Sequence, residues 1–276
     1  MLAIVPPCQQ VVLGQFAAGV NLVEVYASVT DARGEPVEGL SAQDFIVEED
    51  GVPQNVTTFA GGEFPLAVAL GVDRSFSVSR ERLRDAVNAA RGFVSALRPA
   101  DQVMIVAIGS DTEVVAPMST DRAAALVALD RLEPWGTTPL YDATRAAVDA
   151  VEPFSGRRAL ILMSDGNDRY SETTASEIVD YVRRKNVMIY PIVLGRTRPP
   201  VFAELSTVTG GRSSQATTAT ALTGTLSSIA RELRFQYLLG YVPARASAGH
   251  EEWHTIGVRV NRPNLRVRAR EGYFTR

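Results

Sequence analysis

From residue 65 onward, the chain alternates short apolar runs with amphipathic stretches of helical length. The first run covers residues 65–72, and Leu83, Val87, Ala90 and Val94 then recur at intervals of three or four. Further apolar runs of strand length lie at 102–109, 159–164 and 187–194. Alternation of strands and helices is typical of a parallel sheet with helices packed on it. The sequence therefore predicts an α/β fold with a Rossmann-like, doubly wound sheet.

The two ends of the chain have a different pattern. Residues 21–60 and the segment after Phe235 alternate apolar and polar residues with a period of two, as half-buried strands do. Each end has too few strands for a core of its own. We predict a tail at 1–18, a small β-sandwich built from 19–62 together with 235–276, and the α/β domain, at 63–234, inserted between them.

Composition excludes several classes of protein. The chain has 276 residues and a net charge of −3, so it has no general attraction to nucleic acid. The alternating Arg266, Arg268 and Arg270 are interpreted as a solvated sheet face rather than a polyanion-binding stripe. Cys8 is the lone cysteine, which excludes an internal disulfide.

No apolar run is long enough for a membrane-spanning helix. The N-terminus lacks a basic region, and Pro6 and Pro7 interrupt its apolar stretch, so a complete signal peptide is not predicted. His250 and His254 are interpreted as polar surface residues, because a lone histidine pair outside a helix is a weak metal motif.

Oxygen-bearing side chains follow the first apolar run. Asp73, Ser75 and Ser77 form a D-x-S-x-S loop at the predicted carboxyl end of a buried strand. A set of hard oxygen ligands with few carboxylates suits Mg²⁺, with Mn²⁺ as the alternative ion. Such an ion stays electron-poor and keeps affinity for an anionic ligand from outside.

Two further loops strengthen the interpretation. Thr138 lies in a Gly/Thr turn that leads into a helical pattern, and Asp165 follows the apolar run 159–164. In an open parallel sheet, such loops meet above the carboxyl ends of the strands, where ligands bind.

At these positions the chain resembles the von Willebrand factor type A (vWA) family, over roughly residues 63–234. Its metal-ion-dependent adhesion site is matched, in chain order, by Asp73, Ser75, Ser77, Thr138 and Asp165. The resemblance implies that the three hydroxyls bind Mg²⁺ and that the two aspartates bind it directly or through water. It also implies that an Asp or Glu carboxylate of a partner protein completes the coordination, and it suggests a periplasmic or secreted location.

Five residues of the same loops are predicted to surround the metal and contact the partner: Arg74, Phe76, Trp135, Asn167 and Arg169. Large aromatic residues act as interface anchors. For Trp135, a core position that supports the loops is the alternative. The flanks, for example residues 29–40, additionally resemble vWA-related proteins found in Acidobacteria.

Two other functions compete with the protein-binding module. One is a Mg²⁺-dependent hydrolase that uses Asp73, Asp165 and Asp168, with Asp142 as the spare carboxylate for a second metal. The other is a metal-free scaffold in which Asp73, Ser75 and Thr138 only cap helices and turns. The preferred hypothesis is the non-enzymatic module.

Overall fold

The computed structural model describes residues 22–62, 64–243 and 250–275. The predicted tail at 1–18, with Cys8, lies outside the described residues. Four strands come first: β1 (Val23–Thr30), β2 (Phe45–Glu49), β3 (Val52–Gln54) and β4 (Val56–Gly61). A single 3-10 turn, Ala42–Asp44, leads into β2.

The α/β part then runs from residue 66 to residue 234. Its strands are β5 (Leu66–Asp73), β6 (Gln102–Ile108), β7 (Thr112–Ser119), β8 (Arg157–Ser164), β9 (Met188–Leu194) and β10 (Ser214–Ala216). Its helices are α1 (Arg80–Ala96), α2 (Arg122–Asp130), α3 (Leu140–Val151), α4 (Ala175–Arg183), α5 (Pro200–Thr209) and α6 (Ala219–Arg234). None of the described helices is both long and apolar enough to cross a membrane.

These six strands form one sheet in the order β10-β9-β8-β5-β6-β7. All neighbours are parallel except β6 and β7, which are antiparallel. Every residue of the central strand β5 is buried, as expected where helices cover both faces. α1, α2 and α6 pack on one face, and α3, α4 and α5 pack on the other. The predicted doubly wound α/β fold is confirmed.

The remaining strands are β11 (Tyr237–Tyr241), β12 (Trp253–Val260), β13 (Arg266–Arg268) and β14 (Gly272–Phe274). They combine with the first four strands into two sheets, β13-β1-β11-β4 and β14-β12-β2-β3. The sheets enclose one apolar core that includes Val25, Val47 and Leu239. The β-sandwich is therefore built from both chain ends, whereas the proposed domain boundaries remain a prediction.

The predicted solvated face of arginines is wrong for Arg268. Its guanidinium forms an ion pair with Glu232 of α6 at 2.6 Å and donates to the carbonyl of Gly211 at 3.2 Å. The side chain is used at the junction between the sandwich and the α/β part. Arg270 is also partly buried and donates to the carbonyl of Gly272 at 2.6 Å, whereas Arg266 is exposed.

Candidate metal centre

Asp73 is the last residue of β5, and its side chain is fully buried. One carboxylate oxygen accepts the backbone N–H of Ser75 at 2.9 Å, and the other accepts the hydroxyl of Ser164 at 2.6 Å. Burial raises the pKa of Asp73, and the negative charge of Asp165 acts in the same direction. A cation bound here would stabilise the charged form of this carboxylate.

The two serines of the D-x-S-x-S loop lie side by side. Their Oγ atoms are 3.0 Å apart; Ser75 is buried, while Ser77 is exposed. The N-cap of α1 is Ser79, whose hydroxyl accepts the N–H of Arg82 at 3.2 Å. Ser75 and Ser77 are therefore not the caps of this helix, which weakens the scaffold alternative.

Thr138 precedes α3 and is 1% exposed. Its Oγ1 atom is buried and has no hydrogen-bond partner among the described residues. The N-cap position of α3 is Pro139, so Thr138 does not cap that helix either. An unsatisfied buried hydroxyl costs about 1–3 kcal/mol, and a bound ion would remove that cost.

Backbone hydrogen bonds hold the three loops together. They run from Trp135 N–H to Arg74 O at 2.7 Å, from Phe76 N–H to Gly136 O at 3.0 Å, and from Arg169 N–H to Thr138 O at 2.7 Å. Gly136 has φ +78°, and a Cβ there would lie 2.5 Å from the backbone nitrogen of Ser110. Only glycine fits this crossing of the loops.

Asp165 follows β8 directly and is half-buried. Its carboxylate accepts the N–H of Asn167 at 3.0 Å, which fixes the turn. At Gly166, with φ +82°, a Cβ would lie 2.8 Å from Cδ of Pro199, so the loop after β9 packs against this turn. All five predicted ligands lie at the end of β5 or in loops at the same edge of the sheet, but their joint role as ligands remains a prediction.

Four of the five predicted contact residues are exposed. Phe76 is 72% exposed and Trp135 is 43% exposed, and Asn167 and Arg169 are exposed as well. Trp135 also packs on Gly109, where a Cβ would lie 2.8 Å from its ring. It thus supports the loop and still presents a surface.

The guanidinium of Arg74 is mostly covered. It lies 5.4 Å from the centre of the Trp135 ring and 3.4 Å from the carboxylate of Glu113. Glu113 offsets the positive charge that would otherwise lie beside a bound cation.

Sequence reasoning missed Tyr170 and Ser164. Tyr170 follows Arg169, is 80% exposed and has φ +72°, which is uncommon for a residue with a side chain. No feature of the sequence around Tyr170 indicates that it is exposed beside the proposed metal site. Ser164, which donates to Asp73, immediately precedes Asp165 at the end of an apolar run, and that position was a readable signal.

Asp168 and Asp142, the further carboxylates of the hydrolase alternative, accept hydrogen bonds from neighbouring segments. Asp168 accepts the hydroxyl of Ser171 at 2.5 Å and the N–H of Tyr141 at 3.2 Å. Asp142 accepts the N–H groups of Glu172 and Thr173 at 2.8 and 3.0 Å. Both side chains link the loop after β8 to the start of α3, a structural role that accounts for them without a second metal.

A separate acidic group lies in the sandwich, where Glu49, Asp50 and His254 place ligand atoms within 4.8 Å of one another. His254 contacts Asp50 at 2.8 Å, and its side chain is 15% exposed, so it is partly buried rather than freely solvated. Glu49 accepts the hydroxyls of Tyr241 and Tyr273 at 2.7 and 2.9 Å. These hydrogen bonds account for the group without an ion.

Comparison with known proteins gives a family match within the α/β part. Residues 68–167 match the family model described as von Willebrand factor type A domain. No curated protein sequence matches this chain.

Three solved structures show the same fold. A von Willebrand factor type A protein from Catenulispora acidiphila has a TM-score of 0.56 at 13% identity, covering 91% of this chain and 73% of that one. Proximal thread matrix protein 1 from the mussel byssus has a TM-score of 0.55 at 13% identity, covering 76% and 50%. The conserved hypothetical protein BatB from Bacteroides thetaiotaomicron has a TM-score of 0.50 at 18% identity, covering 62% and 98%.

Proposed function

We propose that this chain, in which residues 68–167 match the von Willebrand factor type A domain, is a protein-binding module whose partner is captured through Mg²⁺. The proposed ligands are Asp73, Ser75, Ser77, Thr138 and Asp165. Domains of this family typically mediate protein–protein interaction, and the metal dependence is the further step of the proposal. The resemblance of the flanks to Acidobacteria proteins remains a prediction and adds nothing to it.

The observation that carries the proposal is the unsatisfied Oγ1 of Thr138. It is a buried oxygen in the loop that is hydrogen-bonded to the D-x-S-x-S loop, yet it has no hydrogen-bond partner within the described ranges. The residues present fit a hard divalent ion, because every proposed donor is a hydroxyl or carboxylate oxygen. Such an ion would supply an electrophilic centre that attracts a carboxylate.

The residues around that centre have different roles. The hydroxyl ligands Ser75, Ser77 and Thr138 add no charge. Negative charge in the proposed ligand set therefore comes from the two aspartates alone. The buried Asp73 is held in place by Ser75 and Ser164. A partner Asp or Glu would then form a charge-assisted contact, and Phe76 and Trp135, both exposed, would add apolar contact area.

Metal binding is tested by calorimetric titration of the whole chain with Mg²⁺ and Mn²⁺, together with thermal melts in metal and in EDTA. A metal ion that binds the native state but not the unfolded state raises the stability of the protein by mass action. Thr138→Ala is expected to abolish the response, and Thr137→Ala is the matched control, since the neighbouring Thr137 is exposed. A melting temperature that is unchanged by saturating metal would refute the site.

Partner capture is tested by a pull-down from the envelope and secreted fractions of the source organism, because the family resemblance suggests a periplasmic or secreted location. A partner should be retained in Mg²⁺ and released by EDTA. A single Asp or Glu substitution in that partner should then abolish binding. Retention in EDTA would indicate an interface elsewhere on the chain.

A further inference from the structure

Four arginines lie around the proposed metal centre. They are Arg82 in the first turn of α1, Arg169 in the loop after β8, and Arg196 and Arg198 in the loop after β9. We refer to them as the basic rim. All four are exposed, and none has an ion-pair partner in the part of the chain that the structure describes.

Packing brings the basic rim to the same edge of the sheet as Asp73. The guanidinium of Arg82 lies 3.8 Å from where a Cβ of Gly195 would be, so α1 begins beside the loop that carries Arg196 and Arg198. The same loop contacts Gly166 through Pro199, and Gly166 follows the proposed ligand Asp165. Arg169 is fastened to Thr138 through its backbone N–H.

Some exposed arginines elsewhere in the described part of the chain form ion pairs with carboxylates. Examples are Arg231 with Glu35 at 2.7 Å, Arg259 with Glu48 at 2.5 Å and Arg262 with Asp44 at 2.8 Å. At the metal edge, Glu113 is already paired with Arg74, and Asp168 is hydrogen-bonded to Ser171. The basic rim therefore keeps its positive potential, although the chain as a whole has a charge of −3.

We infer that the partner of this module is an acidic peptide segment: one carboxylate binds the metal, and neighbouring Asp or Glu residues contact the basic rim. This rests on the proposed function, because the metal fixes the first carboxylate. A peptide is favoured over other polyanions because Tyr170 and Phe76, exposed by 80% and 72%, offer apolar contacts beside the arginines. Charges at the rim of an interface chiefly raise the association rate and set specificity.

The experiment uses two fluorescent eight-residue probes, one with a single Glu among Gly and Ser and one with four consecutive Glu. Affinity for the whole chain is measured in Mg²⁺ at low and at moderate salt. The rim variant carries Arg82→Gln, Arg196→Gln and Arg198→Gln. The matched control carries Arg33→Gln, Arg131→Gln and Arg266→Gln, which remove the same charge from exposed arginines that are likewise without an ion pair among the described residues.

The rim variant should bind the four-Glu probe about tenfold more weakly than the wild type, since each exposed pair contributes a modest amount. The control should stay within about twofold, and the rim variant should bind the single-Glu probe like the wild type. The preference for four Glu should shrink as salt rises.

The outcomes separate the two proposals. Mg²⁺-dependent binding of both probes with no effect of the rim variant would overturn the acidic-segment inference and leave the proposed function standing. Rim-dependent binding that persists in EDTA and in Thr138→Ala would overturn the proposed function itself. Failure of the four-Glu probe to bind, or tighter binding of inorganic polyphosphate without Mg²⁺, would overturn the choice of an acidic peptide.

Discussion

The carboxylate of Glu232 lies 2.6 Å from the guanidinium of Arg268, and this ion pair joins α6 to the sandwich strand β13. Glu232 is only 4% exposed, and it also accepts hydroxyls from Ser28 at 3.1 Å and Tyr190 at 2.9 Å. Arg212 approaches it at 3.4 Å. The buried carboxylate of Glu232 thus links α6 to the sandwich strands β1 and β13 and to β9 of the α/β sheet.

Arg268→Ala should lower the free energy of unfolding by about 3 kcal/mol, because removing one partner leaves a buried carboxylate poorly compensated. Arg266→Ala, two residues away on the same strand and exposed, should change stability by less than about 0.5 kcal/mol. Urea titrations of both variants measure the difference. Equal, small effects would mean that Arg212 alone compensates Glu232.

Thr138→Val should remove the metal response and leave the metal-free protein as stable as the wild type or more stable. The substitution replaces an unsatisfied buried hydroxyl with a methyl group of similar size, and burying such a group costs about 1–3 kcal/mol. Thermal melts in EDTA and in Mg²⁺ separate the two effects. A variant that is strongly destabilised in EDTA would show that the hydroxyl already has a structural partner.

A chain that starts at residue 64 should aggregate, whereas a chain of residues 64–234 should stay soluble. β1 lies between β13 and β11, and β2 lies between β12 and β3. Deletion of the residues before 64 therefore removes an inner strand from each sheet. Exposed strand edges and core residues promote aggregation. Light scattering and limited proteolysis report the outcome, and protease-resistant C-terminal strands in the first chain would contradict the shared core.

Asp44 should make stability depend on acid pH. The backbone N–H of Ser41 and then the side chain of Arg262 lower the pKa of Asp44 from 3.8 to about 2. Because the folded-state pKa is depressed, this stabilisation is present above about pH 4 and is lost as the pH falls toward about 2.

Asp44→Asn should flatten that part of the pH profile, measured by urea midpoints between about pH 2 and 5. Asp111→Asn serves as the control, since the side chain of Asp111 is exposed. A profile that is the same in the wild type and both variants would remove Asp44 as the cause.

The placement of Asp73, Thr138 and Asp165 could be predicted because it depends on local order along the chain. Each follows an apolar strand or precedes a helix, and parallel strands bring such positions to one edge. Thr174 and Glu177 form a capping box at the start of α4, which is likewise a motif set by local order along the chain.

Contacts between distant segments could not be predicted in this way. Glu232 looked like an ordinary polar residue on a helix, and its partners Ser28 and Arg268 lie on strands from opposite ends of the described chain. The exposure of Tyr170 depends on a left-handed backbone conformation that its sequence does not signal. Tertiary packing decides such positions, and periodicity does not report on it.

The pairing of Val23 in β1 with Tyr241 in β11 has a consequence for biosynthesis. During translation, β1 to β4 leave the ribosome long before the C-terminal strands β11, β12 and β13, with which β1, β2 and β4 pair. The α/β segment, whose contacts are more local, is complete earlier and can fold while the sandwich still waits. Once folded, this segment holds together the two positions where the chain passes between the sandwich and the α/β part. There Arg157 donates to the carbonyls of Phe64 and Leu233. The α/β domain thus acts as a template that shortens the search of the terminal strands for each other.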